Sequence, residues 1–563
     1  MLHRFFLKTL SAIAVLGALG YGAARAQEFA ELSSFEKDVY SPPESQDLYR
    51  RIDQLEGEVR KLREQSPAQS TSLEADGDAK KADAKKPADA EYVIGSDLSV
   101  KAEFRNGSFL WLSSPHNDFT MHIGAWMQLD NVWWDQSEML KSPADGRPGH
   151  AQGVASGAPL GGIGDLQDGI FFRRIRPFIE GTMWENGEYR LIPALENDQF
   201  NTVGLDEFWV GAKDLPLVGS VRLGHVKNAL GLEGDMTASS RCMTFMERSA
   251  YSEAIEVNQN FVTGLWLGDS LLDQRMTWAF TVFRPDLGSS SGVFFGDGQD
   301  GVQARLTGLP LYENDGRDLV HLGLSGGFRD GTSNDATSPF HVFQFRARPE
   351  LRDDDPAAGG PGIVPNADSN RFIDTGVIAA QGDWILGTEL LWIRGPFSFQ
   401  AEYGWNFLNG AFGVAPTKTT LHPPIVPPQD YVFNGGYLQV AYTLTGENRA
   451  YDRRMGTLAR EYYGKSGPFS NAFLIRDDDG HVHCGWGAWE IAARYSYVNL
   501  NDGTGLNRIQ GGVLNGFTLG VNWYANANFN LMCDWVYNTR DDLAPGSFTG
   551  FVSGLGIEAQ LQF

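Results

Sequence analysis

The chain closes on Phe551-Val552-Ser553-Gly554-Leu555-Gly556-Ile557-Glu558-Ala559-Gln560-Leu561-Gln562-Phe563. Every second residue from Phe551 is Phe, Ser, Leu, Ile, Ala, Leu or Phe, and the residues between are Val, Gly, Gly, Glu, Gln and Gln. Successive side chains of a strand point to opposite faces, so the stretch presents one oily and one wet face. An edge strand of a soluble sandwich alternates in the same way. A last strand with an aromatic residue at its end also suits an outer-membrane barrel, which must close its sheet and leave no edge unpaired in lipid.

The rhythm recurs upstream. Ile123, Ala125, Met127 and Leu129 oppose His122, Gln128 and Asp130, and Phe397, Phe399, Ala401, Tyr403 and Trp405 oppose Ser398, Gln400, Glu402 and Asn406. Trp489, Ile491, Ala493, Tyr495 and Tyr497 oppose Glu490, Arg494 and Ser496, and Phe529, Leu531, Cys533, Trp535 and Tyr537 oppose Asn530, Asp534 and Asn538. Leu438, Val440, Tyr442 and Leu444 oppose Gln439 and Thr443, while Phe517, Leu519, Val521 and Trp523 oppose Thr518 and Asn522. Charges and amides hold the wet face, and aromatics crowd the ends of the oily one. A sandwich core is mostly aliphatic, whereas terminal Trp and Tyr match membrane interfaces. Runs from Phe119 onward make about 16 to 18 strands, the size that leaves a water-filled lumen. The expected fold is all-β, a transmembrane antiparallel barrel over residues 92–563. Short turns such as Asp214 to Gly219 alternate with long polar segments, among them Gly446 to His483, as periplasmic turns alternate with outer loops.

Composition agrees. Aromatics make up 12% of the 563 residues, 66 residues are glycine, and mean hydropathy is -0.28, which a barrel tolerates because its strands average out. Past the N-terminus no apolar run is long enough for a spanning helix. Net charge is -24, which disfavours nucleic acid, and most of it sits in polar stretches such as Asp353-Asp354-Asp355 and Asp477-Asp478-Asp479. Three cysteines, Cys242, Cys484 and Cys533, make no disulfide framework, and a bridge between Cys242 and Cys484 stays open.

Arg4 and Lys8, an apolar core from Leu10 to Leu19 and Ala24-Arg25-Ala26 make residues 1–26 a secretory signal peptide. Within 27–65, a periplasmic segment, Leu48, Ile52, Leu55, Val59 and Leu62 repeat at spacings 4, 3, 4, 3, a short coiled-coil helix. Residues 66–91, rich in Ala, Asp and Lys, form a flexible linker.

Two stretches bear on selectivity. In Phe171-Phe172-Arg173-Arg174-Ile175-Arg176, alternation places Arg174 and Arg176 on one face and Arg173 on the other. Lumen arginines attract anions, unless carboxylates such as Glu180, Glu207 or Glu490 engage them and they only stiffen the wall. The second stretch runs from Arg222 and Lys227 through Thr237, Ser239, Ser240 and Arg241 to Arg248. Small, hydroxylic and basic residues there suit either a loop folded into the lumen or an ordinary surface loop.

At this point the chain resembles the phosphate-selective porins O and P. The likeness rests on Arg173-Arg174-Ile175-Arg176 with Glu180-Gly181, Leu205-Asp206-Glu207-Phe208-Trp209-Val210, Gly224 through Gly231-Leu232-Glu233, and Phe245-Met246-Glu247-Arg248. It continues with Tyr442-Thr443-Leu444-Thr445-Gly446-Glu447, Gly487-Ala488-Trp489-Glu490 and Leu519-Gly520-Val521-Asn522-Trp523-Tyr524, and covers about Ile123 to Phe563. The resemblance implies a homotrimer of 16-stranded porins embedded in outer-membrane lipid, with arginine-lined pores narrowed by an inward loop. By position it implies that Arg173 and Arg174 belong to the lining, that Glu207 is an acidic lumen residue, and that Thr237 to Arg248 form the constriction. Where the family commonly has Gly-Arg before Gln-x-Asp, this chain has Ala125-Trp126, so an indole stands where a lining charge would.

The expected function is passive diffusion of small hydrophilic solutes, with phosphate and other small anions as candidates. No cofactor or metal is expected: Asp477 to Cys484 could offer ligands, but nothing nearby completes a set. The competing functions are a barrel enzyme acting on lipids or peptides, and a structural tether working through the coiled coil.

Overall fold

In a computed structural model of the chain the oily rows are the exposed ones. Leu223 is 60% exposed, Phe517 55%, Leu438 54% and Leu519 51%, while their wet neighbours Thr518, Asn522 and Glu558 are 0% exposed. A sandwich would bury the oily rows, so the sheet is turned inside out for an apolar surrounding. The structure describes residues 92–105, 108–142, 161–196, 203–227, 229–234, 242–256, 261–284, 300–331, 341–352, 371–376, 378–411, 427–459, 473–477, 480–504, 508–543 and 547–563. The expected signal peptide, coiled-coil helix and linker lie outside the described residues.

The wall is one antiparallel sheet. Its strands are β1 (Phe119–Gln136), β2 (Gly169–Met183), β3 (Gly187–Ala194), β4 (Gly204–Leu215), β5 (Gly219–Lys227), β6 (Phe261–Leu271), β7 (Met276–Arg284) and β8 (Gly301–Glu313). They continue as β9 (Asp318–Asp330), β10 (Gly382–Arg394), β11 (Phe397–Ala411), β12 (Gln429–Thr443), β13 (Ala488–Asp502), β14 (Ile509–Tyr524), β15 (Phe529–Leu543) and β16 (Gly550–Gln562). Each pairs with the next, and β16 returns to β1 from Val552↔Gln136 to Gln562↔Trp126. The sheet therefore has no first or last edge along that stretch. Where β16 runs out, Phe563 exchanges two backbone hydrogen bonds with Ala125, 2.7 and 2.9 Å. A hairpin of Lys101–Arg105 and Ser108–Ser113 continues along the rest of the β1 edge, from Leu110↔Ile123 to Ser113↔Thr120. Phe109 meets the terminal Phe563 ring edge-on at 5.3 Å. The aromatic end of the chain thus marks the seam.

Outward aromatics fall in two belts. Trp133 and Trp384 lie toward the long-loop end of their strands, and Trp392 and Tyr442 toward the short-turn end; all are over a third exposed. Trp384 and Trp392 share β10, and tilt shrinks the distance between them to about 20 Å of height, close to that of an apolar membrane band. No helix of the described residues is long and apolar enough to cross a membrane.

Strand direction corrects one expectation. The connection from Thr443 to Ala488, long and polar, leaves and re-enters the barrel at the end of the short turns, not at the end of the long loops. Part of it folds inward: Tyr451 and the Thr457–Leu458 strand lie against β8 and β9, where Arg305 donates to the Gly456 carbonyl at 2.9 Å and His321 pairs with the Tyr451 hydroxyl at 2.7 Å.

From the long-loop end two more segments enter, through the described residues 229–234 and 242–256 of one and 345–352 and 371–376 of the other. Tyr251, Ala254 and Ile255 pack with Phe345, Phe372 and Ile373 against lumen residues Leu408, Phe433, Tyr437, Val498 and Leu514 in one buried cluster. One side of the barrel thus holds an apolar core like that of a soluble protein, and the polar lumen is left to the other side. Several lumen side chains of β2, β3 and β5 keep water access (Glu180 26%, Arg190 35%, Glu188, Arg222 and Lys227 21%), whereas Glu389 and Asp383 on the far side do not (0%).

Candidate pore and constriction

Two bulges shape the polar wall. Between β1 and β2 the register slips at Gln128 and Leu129, which face Arg174 and Phe172, so Arg173 is the extra residue. A bulge lets neighbouring residues share a face. Arg173 and Arg174 are both buried toward the lumen, at 7% and 3% exposure, and the separation that strict alternation assigns them disappears. Between β3 and β4 the register slips at Pro193, which has no N–H for the ladder, and Asp206 and Glu207 both turn inward. Consecutive cations on one strand and consecutive anions on a nearby one then meet across the wall.

Arg173 is held by Glu247 of the inward segment, one contact being Nη2 to Oε2 at 3.1 Å. Arg176 donates Nε and Nη2 to Glu196 at 2.8 and 2.7 Å and also pairs with Asp206. Arg174 differs: its Nη1 donates to the Gln128 amide oxygen at 2.7 Å, and that amide in turn donates to Glu558 and Gln560. Further down the wall Arg190 bridges Glu180 (2.7 Å) and Glu207 (3.3 Å), and Lys227 stands 4.0 Å from Glu207. Trp209 donates its indole N–H to Glu207 at 2.9 Å. Arg222 lies over the Trp209 and Trp266 rings at 4.4 and 4.5 Å, with Glu188 at 3.8 Å. Carboxylates therefore accompany most of these cations. Glu180, Glu207 and Glu490 do engage basic residues, though Glu490 holds Arg449 of the short-turn segment (2.7 Å).

The inward segment after β5 is tied down by strand carboxylates. Glu402 of β11 accepts the backbone N–H groups of Leu232 and Glu233, and Asp534 of β15 accepts that of Met246 at 2.7 Å. Phe245 and Met246 sit over Gly520 and Gly556, where a Cβ would come within 2.9 Å of each. Glycines on the wet face of β14 and β16 thus make room for the segment. Arg494 of β13 donates to the Glu247 carbonyl at 3.1 Å, and Arg248 donates Nε to the Glu233 carbonyl at 2.8 Å. Thr237, Ser239, Ser240 and Arg241 lie outside the described residues.

Electrostatics in the inward segments follow from the neighbours. Burial raises the Glu247 carboxyl, but Arg173 and Arg352 outweigh it and hold it well below the usual range. Burial likewise raises Glu253, and Arg348 and Arg371 bring it down to about 2. Glu256 moves the other way. Burial, with Glu389 and Glu233 nearby, pushes it up to about 8 although Ser252 and Tyr251 donate to it at 2.8 and 2.9 Å.

Trp126, where the resemblance would place a lining charge, packs against Phe178 and Ile192 and is 4% exposed. Cys242 is buried and Cys484 exposed. Asp477 lies 3.6 Å from His481 in an exposed hairpin, and the described residues contain no cluster fit for a metal ion. Arg190, Trp209 and Trp266 were not singled out by sequence reasoning. Their signal was the alternation Glu188-Tyr189-Arg190 and indoles on the wet parity of β4 and β6.

Residues 158–563 match the family described as phosphate-selective porin O and P. Porin O of Pseudomonas aeruginosa is 25% identical over 417 residues, 71% of this chain and 83% of that protein. An uncharacterised protein of Caulobacter vibrioides is 26% identical over 344 residues, 59% of this chain and 56% of that one. Among solved structures, the outer-membrane channel DcaP of Acinetobacter baumannii aligns over 80% of this chain and 99% of its own at 10% identity and a TM-score of 0.41. With most of its length matched, this chain belongs to the phosphate-selective porin O and P family and is an outer-membrane porin, a channel and not an enzyme.

Proposed function

We propose that the channel passes small hydrophilic solutes by passive diffusion with a mild preference for anions, phosphate among them but not strictly selected. The observation that supports this best is Arg174, which donates to the amide oxygen of Gln128 at 2.7 Å and not to a carboxylate. A guanidinium satisfied by an amide keeps its positive potential for a passing anion. Glu247, Glu196, Asp206 and Glu207 cancel much of the charge of Arg173, Arg176, Arg190 and Lys227, which is why the preference is mild. In this reading Arg173, Arg174 and Arg176 face the segment carrying Thr237, Ser239, Ser240, Arg241 and Arg248 across the narrow zone, and Glu207, Arg222 and Lys227 line the wall below it.

The assembly is a homotrimer with its N-terminal segment in the periplasm. The heptad spacing from Leu48 to Leu62 supports self-association, while so short a coil takes its valence from the barrels. Purified protein in planar bilayers, with reversal potentials read in chloride and then phosphate gradients, tests the proposal. Anion-side potentials in both salts are expected; cation selectivity would end the arginine reading.

A further inference from the structure

Below the narrow zone, toward the short turns, lies a cavity of about 200 Å³ bounded by Glu188, Arg222, Trp266, Asp269, Arg305 and Asp452, among others. Most of its charges are already engaged. Arg305 is held bidentately by Glu389 at 2.8 and 2.6 Å, and Asp452 accepts the backbone N–H groups of Arg454 and Met455. Two groups are not. Arg222 Nε and Glu188 Oε2 are buried atoms without a hydrogen-bond partner, and the Arg222 Nη2 to Glu188 Oε2 distance is 3.8 Å, an ion pair without a hydrogen bond. The indoles of Trp209 and Trp266 cover Arg222 at 4.4 and 4.5 Å and so leave its edge as the open direction. Gly211 lies between Glu188 and Arg222 in the register, so no side chain separates the two on that row.

We infer that Arg222, clamped by Trp209 and Trp266, and Glu188 form a binding site for a small zwitterion, one that carries a carboxylate and an ammonium on the same carbon as an α-amino acid does. The carboxylate takes the open edge of Arg222, and the ammonium takes Glu188 with Asp269 behind it. A simple anion meets Glu188 and Asp269 as well as Arg222, and a simple cation meets Arg222. Only a solute with both charges at short spacing satisfies both unpartnered atoms, and buried polar atoms left unpaired are what make such a site discriminate. The room suffices for several waters and hence for a solute of a few heavy atoms. The inference rests on the open-channel reading, since solute must reach the site through the lumen.

The test uses the full-length protein in planar bilayers with L-serine, acetate and ethylammonium as probes, reading the concentration of each that half-blocks the current. L-serine is expected to half-block at a concentration at least tenfold below the other two. R222Q and E188Q should each raise that concentration at least fivefold, and E188D, which keeps the charge, should recover part of the loss. Folding of each variant is checked by its heat-modifiable migration on gels. Acetate as effective as L-serine, ethylammonium as effective as L-serine, or folded variants as sensitive as the parent would each overturn the site. Absence of conductance steps altogether would instead overturn the channel reading.

Discussion

Replacing Glu247 with Gln removes one charge and little volume from the point where the inward segment meets Arg173. Its carboxyl is held well below the usual range, so it is ionised at pH 7 and the substitution deletes a full negative charge. Take an ion path about 8 Å away through water. One unit charge is then worth about 0.5 kcal/mol, favourable to one ion sign and unfavourable to the other. The anion to cation permeability ratio should rise about fivefold. The same substitution leaves Arg173, 7% exposed, and Arg352, 3.3 Å from Glu247, facing an amide. Breaking a buried pair costs about 3 kcal/mol, at the low end here because the amide oxygen still accepts one hydrogen bond. Reversal potentials in a salt gradient read the first effect, and the temperature at which the heat-resistant folded form disappears reads the second. R173Q should shift the reversal potential the opposite way, and R173Q/E247Q should return it close to the parent. An E247Q channel with unchanged selectivity and unchanged heat resistance would refute the placement of this pair beside the ion path.

Other perturbations have equally definite outcomes. Arg176→Met leaves Glu196 and Asp206 without their shared cation, and should lower stability by about 3 kcal/mol, read as earlier loss of the folded band, while moving selectivity toward cations. Glu256 has a folded value of about 8, above the 4.5 of an ordinary glutamate, so its contribution to stability is intact below about 4.5 and lost as pH rises through about 8. Current noise from the inward segment should therefore grow between pH 7 and 9 in the parent, and in Glu256→Gln the noise should not change over that range. Deleting Phe563 removes both backbone bonds to Ala125 at the seam, and should reduce the folded fraction severalfold on refolding into detergent.

The closing strand and its neighbours were legible because one face meets lipid. Leu555, Ile557 and Leu561 are exposed on the barrel as the alternation requires, and a slip of one residue would have turned Glu558 outward. What alternation could not express was an insertion. Arg173 and Asp206 are the extra residues of bulges, and a period-two reading sends one member of each charged pair to the wrong face. Pro193, unable to donate to the ladder, was the one local signal of the second bulge. The apolar fill of the lumen left its own trace. Tyr431-Val432-Phe433 and Val513-Leu514 are apolar on both parities, the mark of strands covered on both faces, here by lipid outside and the inward segments within. The inward direction of residues 229–234 and 242–256 depended on contacts with Glu402, Asp534 and Arg494, each more than 160 residues away, so nothing local could decide it.

Water runs down the β2 to β5 side of a closed wall while lipid surrounds the outside. Single cysteines at Arg190 and at Leu555, in a chain freed of its three native thiols, test it with a bulky, charged, water-soluble thiol reagent applied during single-channel recording. Modification at position 190 should cut the step conductance, and exposure of the position 555 variant to the same reagent should leave it unchanged. Block from position 555 with none from position 190 would contradict the account.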